Sequence, residues 1–170
     1  TFRDAAGVVL HGGRRHAAVT LASGAGSYVL FGPAVPLESE AMSAVIDPAL
    51  PGWIAAELNA SVPAILEHYR AHLGPAPGGR PAILVSWVGA TPRLASMGGS
   101  VLPGLIAMRW EGEGVVVPSP QLRGQARWFI AHEAAHFWLG EAVRYQAERD
   151  AWIFEGGADL LAVRAVQALD

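Results

Sequence analysis

The sequence contains no cysteine, which excludes a disulfide, a thiolate metal site and a cysteine nucleophile, so any bound metal must be held by His, Asp or Glu. Lysine is missing too: all 12 basic residues are arginine, set against 15 acids for a formal net charge of −3. No cluster of them makes a basic stripe, and nucleic acid is not expected as a partner. Apolar runs are short and broken by Arg, Pro or Gly, well below the roughly 20 residues that cross a bilayer, so no membrane span is expected. The chain also lacks an initiator Met, a basic n-region and an apolar h-region at its start, Thr1. That pattern predicts a processed protein or an excised piece of a longer polypeptide, and it leaves the compartment open.

What is present suits one compact domain with room for two subdomains, since 52% of the 170 residues are hydrophobic and can bury a substantial core. Between Gly7 and Phe31, short apolar runs at Val8–Leu10, Ala17–Leu21 and Tyr28–Phe31 are separated by Gly12-Gly13 and by Ser23–Ser27, which predicts three strands joined by turns. Pro33 to Pro51 holds four prolines and little periodicity and is expected to connect rather than to pair. The first 35 residues are accordingly expected to form a β-rich segment, the end of a preceding subdomain, with residues 36–170 as the main core.

From Pro51 to Leu73, apolar residues at Trp53, Leu58, Val62, Ile65, Leu66 and Tyr69 recur at helical spacing, and Gly74-Pro75 is a stop signal. Pro63 predicts a kink or a break near residue 60. Ile83–Val88 and Leu105–Trp110 have the length and character of buried strands, with a turn and Val115–Val117 after them. Two helices are predicted at the end, Gln121–Leu139 closed by Gly140, and Asp150–Leu169. The fold class is therefore α+β, a mixed or antiparallel sheet packed on the long helix and on the helix that follows residue 120.

His132-Glu133-Ala134-Ala135-His136 lies within that helix. Residues four apart share a face, so both imidazoles can reach one point, with Glu133 beside it. Trp128, Phe129, Ile130, Ala131, Phe137, Trp138 and Leu139 make the helix apolar nearly all round. Two imidazoles and a carboxylate in such a helix are costly unless they coordinate or pair, and a single Zn2+ would resolve the cost. Zinc catalytic sites take three protein ligands and leave a position for water. Glu155 is the candidate third ligand, separated from His136 by 18 intervening residues and far enough along to sit in a facing helix, while Glu148 competes for the role if that helix starts late. Asp159, one turn beyond Glu155, is placed to accept a hydrogen bond from a ligand histidine and fix its tautomer.

HEAAHFWLG followed by WIFEGGADLLA resembles the gluzincin metallopeptidases, and most closely the alanyl aminopeptidase (aminopeptidase N) family, with Trp138, Gly140, Trp152, Glu155 and Gly156 falling on that family's pattern. The resemblance is most specific over residues 128–165. Gly157 departs from it, standing where the family has an aromatic, and Asp159 is similar to the thermolysin branch. The resemblance implies a zincin-like (thermolysin-like) core and a peptide or protein substrate. It also implies hydrolysis of peptide bonds, with zinc polarising the carbonyl and Glu133 as the base that activates water. Gly99, Ser100, Val101 and Leu102 occupy the place of the family's substrate-binding edge strand, with Leu102 where the family's Glu holds a free amino terminus. The backbone there could pair with an extended peptide; a plain structural strand is the alternative. The family's oxyanion-stabilising Tyr or His lies well downstream of the third ligand, and neither residue follows Glu155 here. Such a donor is worth about 10²–10³ in turnover. A weakly active or inactive piece of a longer enzyme is thus expected, and a zinc-stabilised binding or scaffold module is the competing class.

Other polar residues invite plainer readings. His68 and His72 share a helix face near its C-terminus, where the dipole favours them. His11 and His16 flank an expected turn, Tyr145 between the two helices is within reach of the metal but is read as a loop or packing residue, and Asp150 is a surface or cap candidate.

Overall fold

The computed structural model describes residues 2–3, 9–11, 14–21, 29–31, 36–77, 79–140, 143 and 150–170. Among the described residues before 35 there are five short strands rather than three: β1 (Phe2–Arg3), β2 (Val9–His11), β3 (Arg14–His16), β4 (Ala18–Val19) and β5 (Leu30–Phe31). They make a two-stranded β1-β4 sheet and a three-stranded β3-β2-β5 sheet. His11 and His16 are strand residues, His11 paired with Arg14 and Val9 with His16, so Arg14 and Arg15 belong to a strand rather than to the turn expected between the histidines. The predicted turns at Gly12-Gly13 and Ser23–Ser27 fall outside the described residues.

The main sheet has five strands in the order β6-β7-β8-β10-β9. Its first two members, β6 (Leu37–Glu38) and β7 (Ser43–Ile46), lie in the proline-rich stretch expected to be a connection. The prolines stand outside the strands, and Ala44-Val45-Ile46 is the short all-apolar run of an interior strand. Next in the chain comes α1 (Gly52–Leu73), which buries Ile54, Leu58, Val62, Ile65, Leu66 and Tyr69 on one face and ends at Gly74, whose φ of +87° suits glycine. Pro63 does not break it. The carbonyl that loses its partner belongs to exposed Asn59, where water can reach it.

After α1 the chain returns as β8 (Ala82–Gly89), parallel to β7, then runs through β9 (Ser96–Leu102) and β10 (Leu105–Glu111). β10 is parallel to β8 and antiparallel to β9, so the sheet is mixed and β9 is its edge. A Pro103-Gly104 turn joins the last two strands, with Gly104 at φ +73°, the combination a type II turn requires. Where a further run at Val115–Val117 was expected, a 3-10 turn covers Glu113–Val115.

The helices α2 (Pro120–Ala135) and α3 (Ala151–Leu169) pack with α1 on one face of this sheet. Ile83, Val85, Ile106, Met108 and Trp110 from the strands share a single core with residues of all three helices. Ser119 caps α2 by accepting from the Leu122 N–H at 3.1 Å, and Pro120 fits the first turn. The molecule is thus α+β, with a mixed sheet and three helices among the described residues. No described helix is long and apolar enough to cross a membrane.

Candidate metal centre

α2 ends at Ala135, four residues before Leu139. Phe137 and Trp138 instead donate to the carbonyls three residues back, Ala134 at 3.2 Å and Ala135 at 3.0 Å, a tightened last turn. His136 stays helical as the capping residue, with φ −64° and ψ −15°, so the four-residue spacing from His132 still puts both rings on one side. Trp138 then fixes this end of α2 to the end of α1, donating from Nε1 to the Gly74 carbonyl at 3.1 Å.

α3 returns alongside α2 with Ala158, Ala162 and Ala165 fully buried, small side chains that let two helices approach closely. Gly157 serves the same end: a Cβ there would meet Leu139 Cδ1 at 2.9 Å. A leucine from the turn after α2 therefore fills the space beside the residue where the resembled family carries an aromatic.

The close approach sets Glu155 opposite the two histidines. His132 Nε2 lies 3.2 Å from His136 Nε2 and 3.2 Å from Glu155 Oε2, and His136 Nε2 is 3.7 Å from the same oxygen. These three side chains form a group that can hold a metal ion. The opposite nitrogen of His132, Nδ1, is 2.9 Å from Asp159 Oδ1, which fits an Nδ1–H donor and leaves Nε2 with its lone pair facing the group. His136 is buried, and burial followed by the nearby His132 pushes its pKa down, against smaller upward pulls from Glu155, the Leu139 backbone and Asp159. A depressed pKa keeps the imidazole neutral, as a ligand must be. Its Nδ1 is buried without a hydrogen bond of good geometry. Phe154, one residue before Glu155, stacks on the His136 ring.

Glu133 is 7% exposed. Burial raises its pKa above the ordinary carboxylate value, His132 works against the rise, and Glu155 adds to it. Its carboxylate lies against the backbone of Gly99 in β9, so closely that a Cβ built there would overlap it.

The predicted residues therefore come together. His132, His136 and Glu155 converge, Asp159 bonds to His132, and the edge strand with Gly99, Ser100, Val101 and Leu102 borders the Glu133 side. Ser100 and Leu102 are exposed and Val101 is half-buried. Glu148 and Tyr145 fall outside the described residues. Asp150 caps α3 by position, without a side-chain cap bond. His68 and His72 sit ring to ring at 4.2 Å, with His72 Nδ1 2.8 Å from the His68 carbonyl, a local arrangement remote from any third ligand in the described residues. Two contributions are not legible as site residues in the sequence, the Phe154 ring on His136 and the bare Cα of Gly99 against Glu133; the visible signal for the latter is Gly98-Gly99 interrupting the apolar residues of a strand.

No protein-family model matches the chain, and no curated protein matches it either.

Proposed function

We propose that this chain is the metal-binding core of a zinc-dependent peptidase of gluzincin type, with His132, His136 and Glu155 as ligands and Glu133 as the general base. The observation that carries the reading is the triangle of ligand atoms, with sides of 3.2, 3.2 and 3.7 Å. Zinc bonds of 2.0–2.1 Å in a tetrahedron hold neighbouring donors about 3.3–3.4 Å apart, so the donor set suits that ion and leaves a fourth direction open. A zincin-like core is the fold this reading implies, and the antiparallel edge strand lying beside the HExxH helix supports it.

Bound zinc would supply Lewis acidity to a peptide carbonyl and make a water easier to deprotonate. The chain's own residues would do the rest. Glu133, held beside the ligand group with a raised pKa, takes the proton from the attacking water and hands it to the leaving amine. Asp159 orients His132 through Nδ1. The free edge of β9 offers backbone N–H and C=O groups to an extended substrate, which aligns a peptide without calling on any one side chain. Leu102, 41% exposed, has no charge with which to hold an amino terminus, so this site is read as taking peptides by their backbone.

The test uses the protein purified with zinc and assayed on a peptide library beside Glu133→Gln. One zinc per chain, lost in His132→Ala but kept in Glu133→Gln, together with cleavage by the parent alone, is the expected result. Equal signals from parent and Glu133→Gln would overturn catalysis and favour a metal-held binding module. A protein that takes up no zinc would remove the whole reading.

A further inference from the structure

Side chains of β9 alternate between the sheet's two faces, and Met97, Gly99 and Val101 point toward the helices. Met97 and Val101 pack against the main core. Between them, opposite buried Met108 of β10, the row is interrupted by a residue with no side chain. Glycine inside a strand lowers stability and marks a place where another group comes close to the backbone. Here the group is the Glu133 carboxylate, which occupies the volume a Cβ of Gly99 would take. The neighbouring Gly98 differs. A Cβ there would meet nothing nearer than the Arg109 guanidinium at 3.9 Å, an ordinary contact on the other face.

We propose that Gly99 is the positioning residue for the general base: its bare Cα is the seat that holds the Glu133 carboxylate between the edge strand and the ligand histidines. The inference rests on the peptidase reading for its consequence, and on the geometry of β9 and α2 alone for the seat. Glu133 hangs from a helix whose Ala131, Ala134 and Ala135 are fully buried, and the atoms in the way are the far end of its flexible side chain, the part that gives most easily. Adding a methyl group at Gly99 is met most cheaply by the glutamate's own torsions, so the carboxylate swings away while the ligands stay put. The same edge that lies along an extended peptide would thereby set the distance from base to scissile bond. A misplacement near 1 Å costs on the order of 10² in rate.

Gly99→Ala and Gly98→Ala are compared in the zinc-loaded protein. For Gly99→Ala we expect kcat to fall about 100-fold, with KM within a few-fold of the parent, zinc affinity unchanged, and the Glu133 carboxylate displaced from β9 in its crystal structure. Gly98→Ala, where a methyl group meets only the Arg109 guanidinium, should leave the Glu133 carboxylate against Gly99 in its crystal structure. Retention of kcat in Gly99→Ala, or a carboxylate still in place beside Ala, overturns the proposal. If the parent and Glu133→Gln are equally inert, the peptidase reading fails instead, and the crystal structure of Gly99→Ala still decides whether the seat exists. If Gly99→Ala does not fold, Gly99→Ala combined with Glu133→Ala decides: recovery of folding shows that the two groups compete for one space, and continued failure overturns the seat.

Discussion

The Phe154 ring lies flat on the imidazole of His136, with 3.9 Å between centroids and 17° between planes. Phe154 is itself held from behind by Gly140, where any side chain would collide with the ring and where φ is +121°. The stack matters because His136 Nδ1 has no good hydrogen bond to set the ring's rotation. A flat aromatic neighbour takes over that restraint and keeps Nε2 turned toward His132 and Glu155. Phe154→Ala should therefore weaken zinc binding about 10-fold, the low end of what outer partners of ligand histidines contribute. Competition against a chromogenic chelator measures it, and an unchanged affinity would show that the α2 backbone alone orients His136.

Asp159 acts on the other histidine. Its contact with His132 Nδ1 at 2.9 Å selects the tautomer whose Nε2 lone pair faces His136 and Glu155, and its negative charge adds to the field that favours a cation there. Asp159→Asn retains an acceptor of the same shape and loses the charge, while Asp159→Ala loses both. The affinity for zinc should fall in the order parent, Asn, Ala, with the last about 10–100-fold below the parent. Equal losses in the two variants would assign the effect to shape rather than charge.

Much of this centre could be read from residues alone because it is built from local rules. Four-residue spacing on a helix fixes the relation of His132 to His136 whatever the rest of the chain does, and Glu155 followed by Asp159 repeats that logic on α3. The strands β6 and β7 escaped for the opposite reason. β7 is four residues long and is stabilised by neighbours distant in sequence, and prolines at 36 and 48 on either side make the stretch look like a connection. The early end of α2 was hidden too, since Phe137, Trp138 and Leu139 continue its apolar pattern through a tightened turn. Contacts such as Phe154 on His136 or Gly99 on Glu133 depend on how two elements meet, and no spacing along one element reveals them.

α1 supports α2 through a buried hydroxyl at the turn before His132. Tyr69 is 1% exposed and donates to the Ala131 carbonyl at 3.0 Å, one residue before His132. Burial drives the phenol's pKa well above its ordinary value, so it remains a donor throughout the working range. Tyr69→Phe removes the bond while filling nearly the same space. It should cost about 1 kcal/mol of stability, read as a lower urea midpoint at unchanged slope. No change in midpoint would mean that the carbonyl's bond within α2 suffices.

Glu57 ties α1 to the first half of α2 and gives the stability a pH dependence. Its carboxylate is 6% exposed and accepts from Arg127 Nε at 2.6 Å, Ser61 Oγ at 3.0 Å and Arg123 at 3.3 Å. Burial by itself would raise its pKa, but these bonds and the Arg127 charge outweigh burial and hold it below the ordinary value of 4.5. A folded-state pKa below the unfolded one means that the folded chain resists protonation. The contribution is then complete above about pH 4.5 and disappears as the pH falls through the lower, folded value. Glu57→Gln keeps the shape and gives up the charge, so it should lose about 2 kcal/mol at pH 7. The gap between variant and parent should narrow steadily below pH 4.5. Urea unfolding of both proteins across pH 3–7 makes the comparison, and a gap that stays constant down to the lowest pH would show that the two arginines draw no net stability from the carboxylate's charge.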